Sequence, residues 1–346
     1  MHRFIGNPRR SSRLALLLAL AGMACGGGGS DQDASVLRVA LLTSGPVSDA
    51  GWYAGAYDGL QLIGDSLGAQ VSHQQTATPA EFDEAFLAYG SADYDLIFAH
   101  GFEYQDAAVR AGEQFPDVTI IVSGGGRVAD NVVPLIFRLE EGSYLAGMVA
   151  AAMSESGTVG MVGGVAIPPA RGTFRAFEAG ARAVDPGIQV LETFTGDWND
   201  VAAAKEATVA QLSRGADVVI HNLDAASFGV FQAVREAVAE GRSVWAVGMN
   251  NNQNDVAPDV IIGSAVIRIP DAFLEVARRY EAEHVGGEPI YASLREGFID
   301  FVFNPELAED MPEGLVERIR EARDRIAAGT LEVPRVRFVE DSVGGR

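Results

Sequence analysis

The apolar residues of the chain form short runs that alternate with longer segments of helical periodicity. The runs at 37–42 (LRVALL) and 94–100 (YDLIFAH) are almost continuously apolar, which is typical of parallel strands buried on both faces. The segments at 50–67 and 79–89 predict helices, the second with a proline at its start. Strands that alternate with helices predict parallel sheets with right-handed crossovers, and hence an α/β fold.

The alternation falls into two series of similar length, which predicts two α/β lobes. The predicted first lobe comprises 36–138 plus 268–303, and the second comprises 139–267 plus 304–346. The last part of the chain is too short for a third lobe, so we expect it to recross between the two. It includes one long predicted helix at 305–328 and a predicted strand at 336–339. Several crossings make a hinge, and the cleft between lobes is the usual ligand site.

The segment after the first predicted strand has the form of a ligand-binding corner. A turn at 44–46 ends the strand, and Ser48 or Asp49 can cap the helix that follows. In open parallel sheets a ligand lies beyond the carboxyl ends of the strands, where N–H groups at helix starts point at it. Trp52 and Tyr53 lie in the first turn of this helix. Either one ring stacks on a flat ligand, or Trp52 only packs under the edge of the sheet.

Aromatic and polar residues recur just past the ends of the predicted strands. They are Trp52, Tyr53, Phe102, Tyr104, Phe174, Trp198, Asn222, Asp224, Phe228 and 250–252. We expect them to share one edge of the fold, because the carboxyl ends of parallel strands meet there. Aromatic faces with a few amides and carboxylates suit a neutral, flat ligand, whereas a phosphate would need arginine. His221 ends a buried strand and is either a core histidine or a ligand contact.

Charge and motifs exclude several classes of function. The 346 residues carry a formal net charge of −21, which argues against nucleic acid and anionic membrane surfaces as partners, since both would repel it. The sequence has no G-x-x-x-x-G-K-[ST] loop, and the glycines at 124–126 lack the dinucleotide spacing. The G-x-S-x-G match at 64–68 lies at a helix end, so we take it as chance. The five histidines are scattered and no catalytic set assembles, so we expect no metal, no cofactor and no enzyme activity.

The first 24 residues are predicted to be a leader outside the fold. Four arginines precede an apolar stretch at 14–21 that is too short to span a bilayer. Small residues follow, and then Cys25, the single cysteine. This arrangement resembles a bacterial lipoprotein signal, which is cut before a cysteine that is then acylated; ordinary secretion with a free thiol is the alternative. Residues 25–35 are predicted to be a flexible, Gly-rich tether.

Four longer segments carry a resemblance to a known family. They are GFEYQDAAVRAGEQFPDV at 101–118, FRLEEGSYLAGMVAAAM at 137–153, VGMVGGVAIPPARGTFRAFEAGARAVDP at 159–186 and RIREARDRIAAGTLEVP at 318–334. From about 36 to 339 the chain resembles the basic membrane protein family of ABC-transporter substrate-binding lipoproteins, which includes bacterial receptors for purine nucleosides and purine bases. The resemblance implies a type I periplasmic-binding-protein fold: two doubly wound parallel-sheet lobes joined by a hinge.

The resemblance also implies partners and a location. The protein is expected outside the cytoplasm, monomeric, and held to the cell membrane by its lipid anchor alone. It would capture a purine-like ligand and deliver it to an ABC permease. Two alternatives stay open: a sugar-binding protein of the same fold, and a sensor module that feeds a signalling partner.

Family motifs imply ligand residues position by position. Nucleoside-binding members carry Asp-x-x-Phe-Asn where this chain has Asp49 followed by Trp52 and Tyr53. The Gly-Trp-Tyr form looks more like purine-base members, as does His221 with Asp224 after one strand.

Two further positions bear on the sugar part of a nucleoside. Ribose-binding members have an aspartate and a lysine at the positions that match Asn250 and Ile267 in this chain. The change at both positions favours a base, or a different small heterocycle, over a nucleoside. The predicted ligand residues are Asp49, Trp52, Tyr53, Phe102, Trp198, His221, Asp224 and Asn250.

Overall fold

The computed structural model describes residues 36–283 and 285–339. Its strands are, in chain order, β1 (Arg38–Thr43), β2 (Gln70–Gln75), β3 (Leu96–His100), β4 (Thr119–Ser123), β5 (Val132–Phe137), β6 (Thr158–Gly163), β7 (Gln189–Phe194), β8 (Val218–Asn222), β9 (Trp245–Asn250), β10 (Ile261–Ile267), β11 (Ile290–Ala292) and β12 (Ile299–Phe303). Its α-helices are α1 (Trp52–Leu67), α2 (Pro79–Ser91), α3 (Gln105–Gln114), α4 (Leu139–Met153), α5 (Pro168–Val184), α6 (Val201–Ser213), α7 (Ser227–Ala239), α8 (Ile269–Ala282) and α9 (Leu315–Ala327).

The strands of the described residues form two six-stranded sheets of the same design. The first has the order β11-β5-β4-β3-β1-β2 and is parallel throughout. The second has the order β12-β10-β9-β8-β6-β7 and is parallel except for β12, which is antiparallel to β10. In each sheet the strand order reverses beside the first strand of its series, as in doubly wound folds.

Burial explains why the central strands were recognisable in the sequence. Every residue of β3, β4, β5 and β6 is buried, so both faces of these strands require apolar side chains. The edge strands β2 and β7 are partly exposed and correspondingly polar. The predicted α/β architecture with two parallel-sheet lobes is confirmed.

Helix α4 is buried on nearly all sides because small residues let α5 approach it closely. A Cβ added at Gly147 would lie 2.0 Å from the carbonyl oxygen of Phe177, and one at Gly180 would lie 1.9 Å from that of Tyr144. A side chain at either position would push the two helices apart. Since α4 follows β5 directly, it leads the chain out of the first sheet and places its first turn beside the cleft.

Among residues 36–283 and 285–339, three connections lead the chain from one sheet to the other. They are β5 to α4 at 137–139, β10 to α8 at 267–269 and β11 to β12 at 292–299. Helix α8 returns to the first lobe and packs on α1, where Gly59 leaves room for Phe273. Helix α9 contacts α4 in the second lobe. Each lobe is therefore built from separate stretches of the chain.

The division at residue 303 is wrong for one strand. The segment 268–303 was predicted to belong to the first lobe, but β12 pairs with β10 in the second sheet, with Ile267 opposite Ile299. The third crossing therefore precedes β12 rather than following it. The three-residue strand β11, which the sequence did not indicate, adds the last strand to the first sheet.

Two elements near the carboxyl terminus also differ from expectation. The single helix predicted at 305–328 is a 3₁₀ helix (Pro305–Asp310) followed by α9, because the break contains Pro312 and a left-handed Gly314 with φ 74°. The strand predicted at 336–339 is irregular chain in the structure. There the carbonyl of Phe338 lies so close to Gly126 that a Cβ on the glycine would be 2.3 Å away.

No helix within 36–283 and 285–339 is long and apolar enough to cross a membrane. The predicted leader (1–24), Cys25 and the predicted tether (25–35) lie outside the described residues. They stay predictions.

Candidate ligand-binding site

A cavity of about 100 Å³ lies at the carboxyl ends of the strands. Its walls come from segments that follow β1, β3, β4, β6, β7 and β8, from the ends of β5, β9 and β10, and from the first turns of α4 and α5. Both lobes contribute to it. This is the edge at which open parallel sheets bind ligands.

Asp49 fixes the start of α1. Its buried carboxylate accepts hydrogen bonds from the main-chain N–H groups of Gly51 (3.1 Å), Tyr53 (2.9 Å) and Ala54 (2.8 Å). Burial raises the pKa of this carboxyl, and the three N–H groups oppose that rise. Asp49 thus acts as the predicted helix cap, although the structure does not place it in the cavity wall. We propose no direct ligand contact for it.

Trp52 is held as a flat wall of the cavity by His100. The two rings stack at a centroid distance of 3.8 Å, and Phe137 meets the indole edge-on at 5.8 Å. The Nε2 of His100 is 3.0 Å from the carbonyl oxygen of Trp52. Burial lowers the pKa of His100 to about 3, so the imidazole is neutral and Nε2–H is the donor. One face of Trp52 is therefore covered, while the residue still lines the cavity.

Six of the eight predicted ligand residues line the cavity. They are Trp52, Tyr53, Phe102, Trp198, Asp224 and Asn250. The loop that carries Trp198 is tied to the loop after β8, because the Trp198 carbonyl accepts the N–H groups of Asp224 and Ala226, each at 3.1 Å. Asn250 ends β9 in a left-handed conformation with φ 70°. Their contacts with a ligand remain a prediction.

Tyr53 lies near carboxyl groups of both lobes. Its hydroxyl is 2.7 Å from the Ser44 hydroxyl, which donates to the carboxylate of Glu103 in the first lobe. The Asp224 carboxyl of the second lobe interacts with this hydroxyl electrostatically. Burial, with the nearby negative charges of Asp49 and Glu103, raises the pKa of Asp224 well above its usual range, and the Tyr53 hydroxyl opposes this rise.

His221 is a core histidine in this structure. It is fully buried, its Nε2 is 2.8 Å from Gln253 Oε1, and its ring meets Phe231 edge-on at 5.4 Å. Burial lowers the pKa of this imidazole to about 4. Because His221 is not part of the cavity wall, we propose no ligand contact for it.

Sequence reasoning missed several residues of the wall. Phe137 and Glu140 lie at the crossing from β5 to α4, where the pattern indicated a strand and a helix but gave no sign that both face the cavity. Glu103 lies in a single turn of 3₁₀ helix after β3, and Thr173 lies in α5. Phe338 belongs to the segment predicted as a strand, and its ring lies 6.3 Å from that of Phe102.

The wall is acidic. Glu103, Glu140 and Asp224 line it, and none of the described residues that line it is a lysine or arginine. No group of three or more potential metal ligands occurs in the part of the chain that the structure describes. An anionic ligand would lie against carboxylates with no cation to pair with, which is strongly unfavourable in a buried site.

Two doubly wound lobes with a cavity between them, lined in part by aromatic residues, are typical of solute-binding proteins. A family model described as ABC transporter substrate-binding protein, PnrA-like, matches residues 36–335, and the chain belongs to this family. It is the family that the sequence segments predicted, and it consists of substrate-binding proteins rather than enzymes.

Individual relatives agree with this assignment. The chain is 25% identical to a purine-binding protein of Brucella abortus, over 91% of this chain and 87% of that protein. It is 24% identical to the transcriptional activator protein med of Bacillus subtilis, over 89% and 96%. A solute-binding protein of an ABC transporter system from Aeropyrum pernix superimposes with a TM-score of 0.77, covers 86% of this chain and 92% of its own, and is 21% identical. That likeness confirms the type I periplasmic-binding-protein fold.

Proposed function

We propose that this protein captures a purine base, or a purine nucleoside, in the cavity between its lobes for an ABC importer. The observation that carries the proposal is the Trp52 indole, which His100 supports from behind at 3.8 Å and which lines the cavity. A supported aromatic face suits a flat heterocycle, because every base has a π-face to stack on it. The purine-binding relative from Brucella abortus favours the same ligand class.

A base is favoured over a nucleoside by the two positions that the family resemblance links to ribose. Asn250 and Ile267 both line the cavity. Ile267 offers no hydrogen bond to a sugar hydroxyl, and the wall contains no lysine that could do so in its place.

The proposed setting is the outer side of the cell membrane. A lipid on Cys25 would anchor the protein, and 25–35 would let the folded part reach a permease. Net charge −21 disfavours direct adsorption to an anionic lipid surface. We propose a monomer that meets its permease while carrying its ligand.

The ligand is tested by calorimetry with adenine, guanine, hypoxanthine, their nucleosides and several sugars. Trp52→Ala should weaken purine binding roughly tenfold or more, because stacking on an aromatic side chain contributes about 1–3 kcal/mol. Phe228→Ala is the matched control, since this aromatic residue is 38% exposed and lies outside the cavity wall. Binding of sugars without any purine would refute the proposal.

A sensor is the second candidate function. The match to the relative named as a transcriptional activator covers nearly the full length of that relative. Related chains therefore perform other roles with the same fold. Neighbouring genes distinguish the two: permease and ATPase genes support an importer, and a kinase gene supports a sensor.

A further inference from the structure

Glu140 is a buried carboxyl in the cavity wall. It is the second residue of α4, its exposed fraction is 5%, and it lies where the chain passes from the first sheet to the second lobe. Gly172 of α5 leaves space for it, since a Cβ there would lie 3.0 Å from Glu140 Oε1. The carboxyl is therefore confined between α5 and the cavity.

Neighbouring groups leave this carboxyl without a strong partner. In 36–283 and 285–339, no other residue donates a hydrogen bond to it. The charged groups that face it are Arg138, Arg335 and Glu141. Arg335 pairs instead with Glu141 at 2.7 Å, and the Arg138 guanidinium lies over the Tyr291 ring at 4.3 Å.

Of the other two carboxyls of the wall, Glu103 accepts a hydrogen bond from Ser44. The Tyr53 hydroxyl interacts with Asp224 and opposes the rise in the pKa of that carboxyl. A buried acceptor left unpaired is destabilising, and donors that reach an ionised carboxylate form strong hydrogen bonds. Glu140 is thus an acceptor available to a ligand.

We propose that Glu140 accepts hydrogen bonds from the ligand and makes the cavity selective for heterocycles whose edge carries amino and ring N–H donors. The inference rests on the proposed purine function and narrows it to the donor-rich members of that class. A carboxylate pairs well with an amino group beside a ring N–H, and carboxylates read the amino group of a base in the same way. Carbonyl-rich or anionic heterocycles would place their own oxygen atoms against the carboxylate oxygens of Glu140, which is repulsive.

Guanine, hypoxanthine and xanthine provide a direct test because all three are 6-oxopurines that differ at ring carbon 2, where xanthine also gains a proton on the adjacent N3. Guanine carries an amino group there, hypoxanthine a hydrogen and xanthine a carbonyl oxygen. For the wild-type protein we expect guanine to bind most tightly and xanthine most weakly, with a guanine-to-xanthine ratio of roughly ten- to a hundredfold. Competition calorimetry measures all three. Equal affinities would overturn the inference without any variant.

Glu140→Gln supplies the second measurement. The amide can donate to a carbonyl oxygen, so the guanine-to-xanthine ratio should fall at least about tenfold. Glu141→Gln is the matched control, because Glu141 is buried next to it on α4 but lies outside the cavity wall; its ratio should equal that of wild type. An unchanged ratio in Glu140→Gln overturns the inference.

Proton release gives a readout that a purely structural role would not change. Burial raises the pKa of Glu140 to about 7 in the empty protein, and donors from a ligand would lower it again. Guanine binding near pH 6.5 should therefore release more protons from wild type than from Glu140→Gln, measured in two buffers of different ionisation enthalpy. Equal release in both overturns the role of Glu140 while the purine function stands, whereas absence of any purine binding to wild type removes both.

Discussion

Glu140→Gln should make the empty protein more stable at neutral and alkaline pH. The pKa of the Glu140 carboxyl is raised from 4.5 to about 7, chiefly by burial. At about 1.4 kcal/mol per pKa unit, the ionised carboxylate lowers the free energy of unfolding by about 3 kcal/mol. The neutral glutamine has nearly the same shape and does not carry this charge.

The pH dependence follows from the order of ionisation. At and below about pH 4 the carboxyl is protonated in both states, so the variant and wild type should be equally stable. Between the two pKa values the unfolded chain ionises first, and wild-type stability falls. Above about pH 7 the difference stays constant. Urea unfolding across this range, without ligand, measures the difference in the free energy of unfolding.

Glu141→Gln should change stability in the opposite direction. The Glu141 carboxylate accepts the N–H of Leu294 at 2.8 Å and pairs with Arg335 at 2.7 Å. Its loss should destabilise the protein by roughly 1–3 kcal/mol near neutral pH. If Glu140→Gln gains nothing near pH 8, or gains as much near pH 4, the account of Glu140 as a buried, poorly paired carboxyl is wrong.

Two further predictions concern the anchor and the motion of the lobes. Cys25→Ala should abolish labelling of the protein by a radioactive fatty acid in cells, and equal labelling of variant and wild type would exclude lipidation at Cys25. Saturating ligand should reduce the radius of gyration in small-angle scattering, because the cavity wall draws on both lobes. Asp224→Ala should reduce this change and weaken binding roughly tenfold together; an unchanged profile of the wild-type protein would contradict closure on the ligand.

The sequence predicted the two-lobed architecture because buried strands carry a strong signal. β5 and β6 are buried along their full length, and their bounds agree with the apolar runs. The short strand β11 has no such signal, since three residues cannot show a period. The sequence pattern does not reveal the break at Pro312, because the apolar residues on either side of it have the spacing of one continuous helix.

Candidate ligand residues could be predicted where they lie between a strand and the next helix or in the first turn of that helix. Trp52 opens the helix that comes after β1 and Asp224 lies just past β8, and both line the cavity. The family motifs added Asp49 and His221, whose polar groups bond to main-chain N–H groups and to Gln253 instead. Local sequence does not distinguish these two uses of a polar side chain.

The position of Glu140 in the cavity wall could not be predicted from the local sequence. It faces the cavity because α4 begins immediately after the crossing from β5 and because α5 leaves space at Gly172. Both conditions depend on packing between elements that are distant in sequence. Its strongest sequence signal, an acidic residue in the first turn of a helix, is equally typical of a favourable interaction with the helix dipole.

The position of Phe338 in the cavity wall has a consequence for folding. The wall also contains Trp52, near the other end of the described chain, so the cavity forms only when contacts of very long sequence separation are made. Such contacts are slow to form, because closing long loops loses chain entropy before any contact compensates for it. A ligand stabilises only the states that bind it. A ligand that binds the complete cavity would therefore favour molecules in which both lobes and the segment around Phe338 are docked over those with one folded lobe.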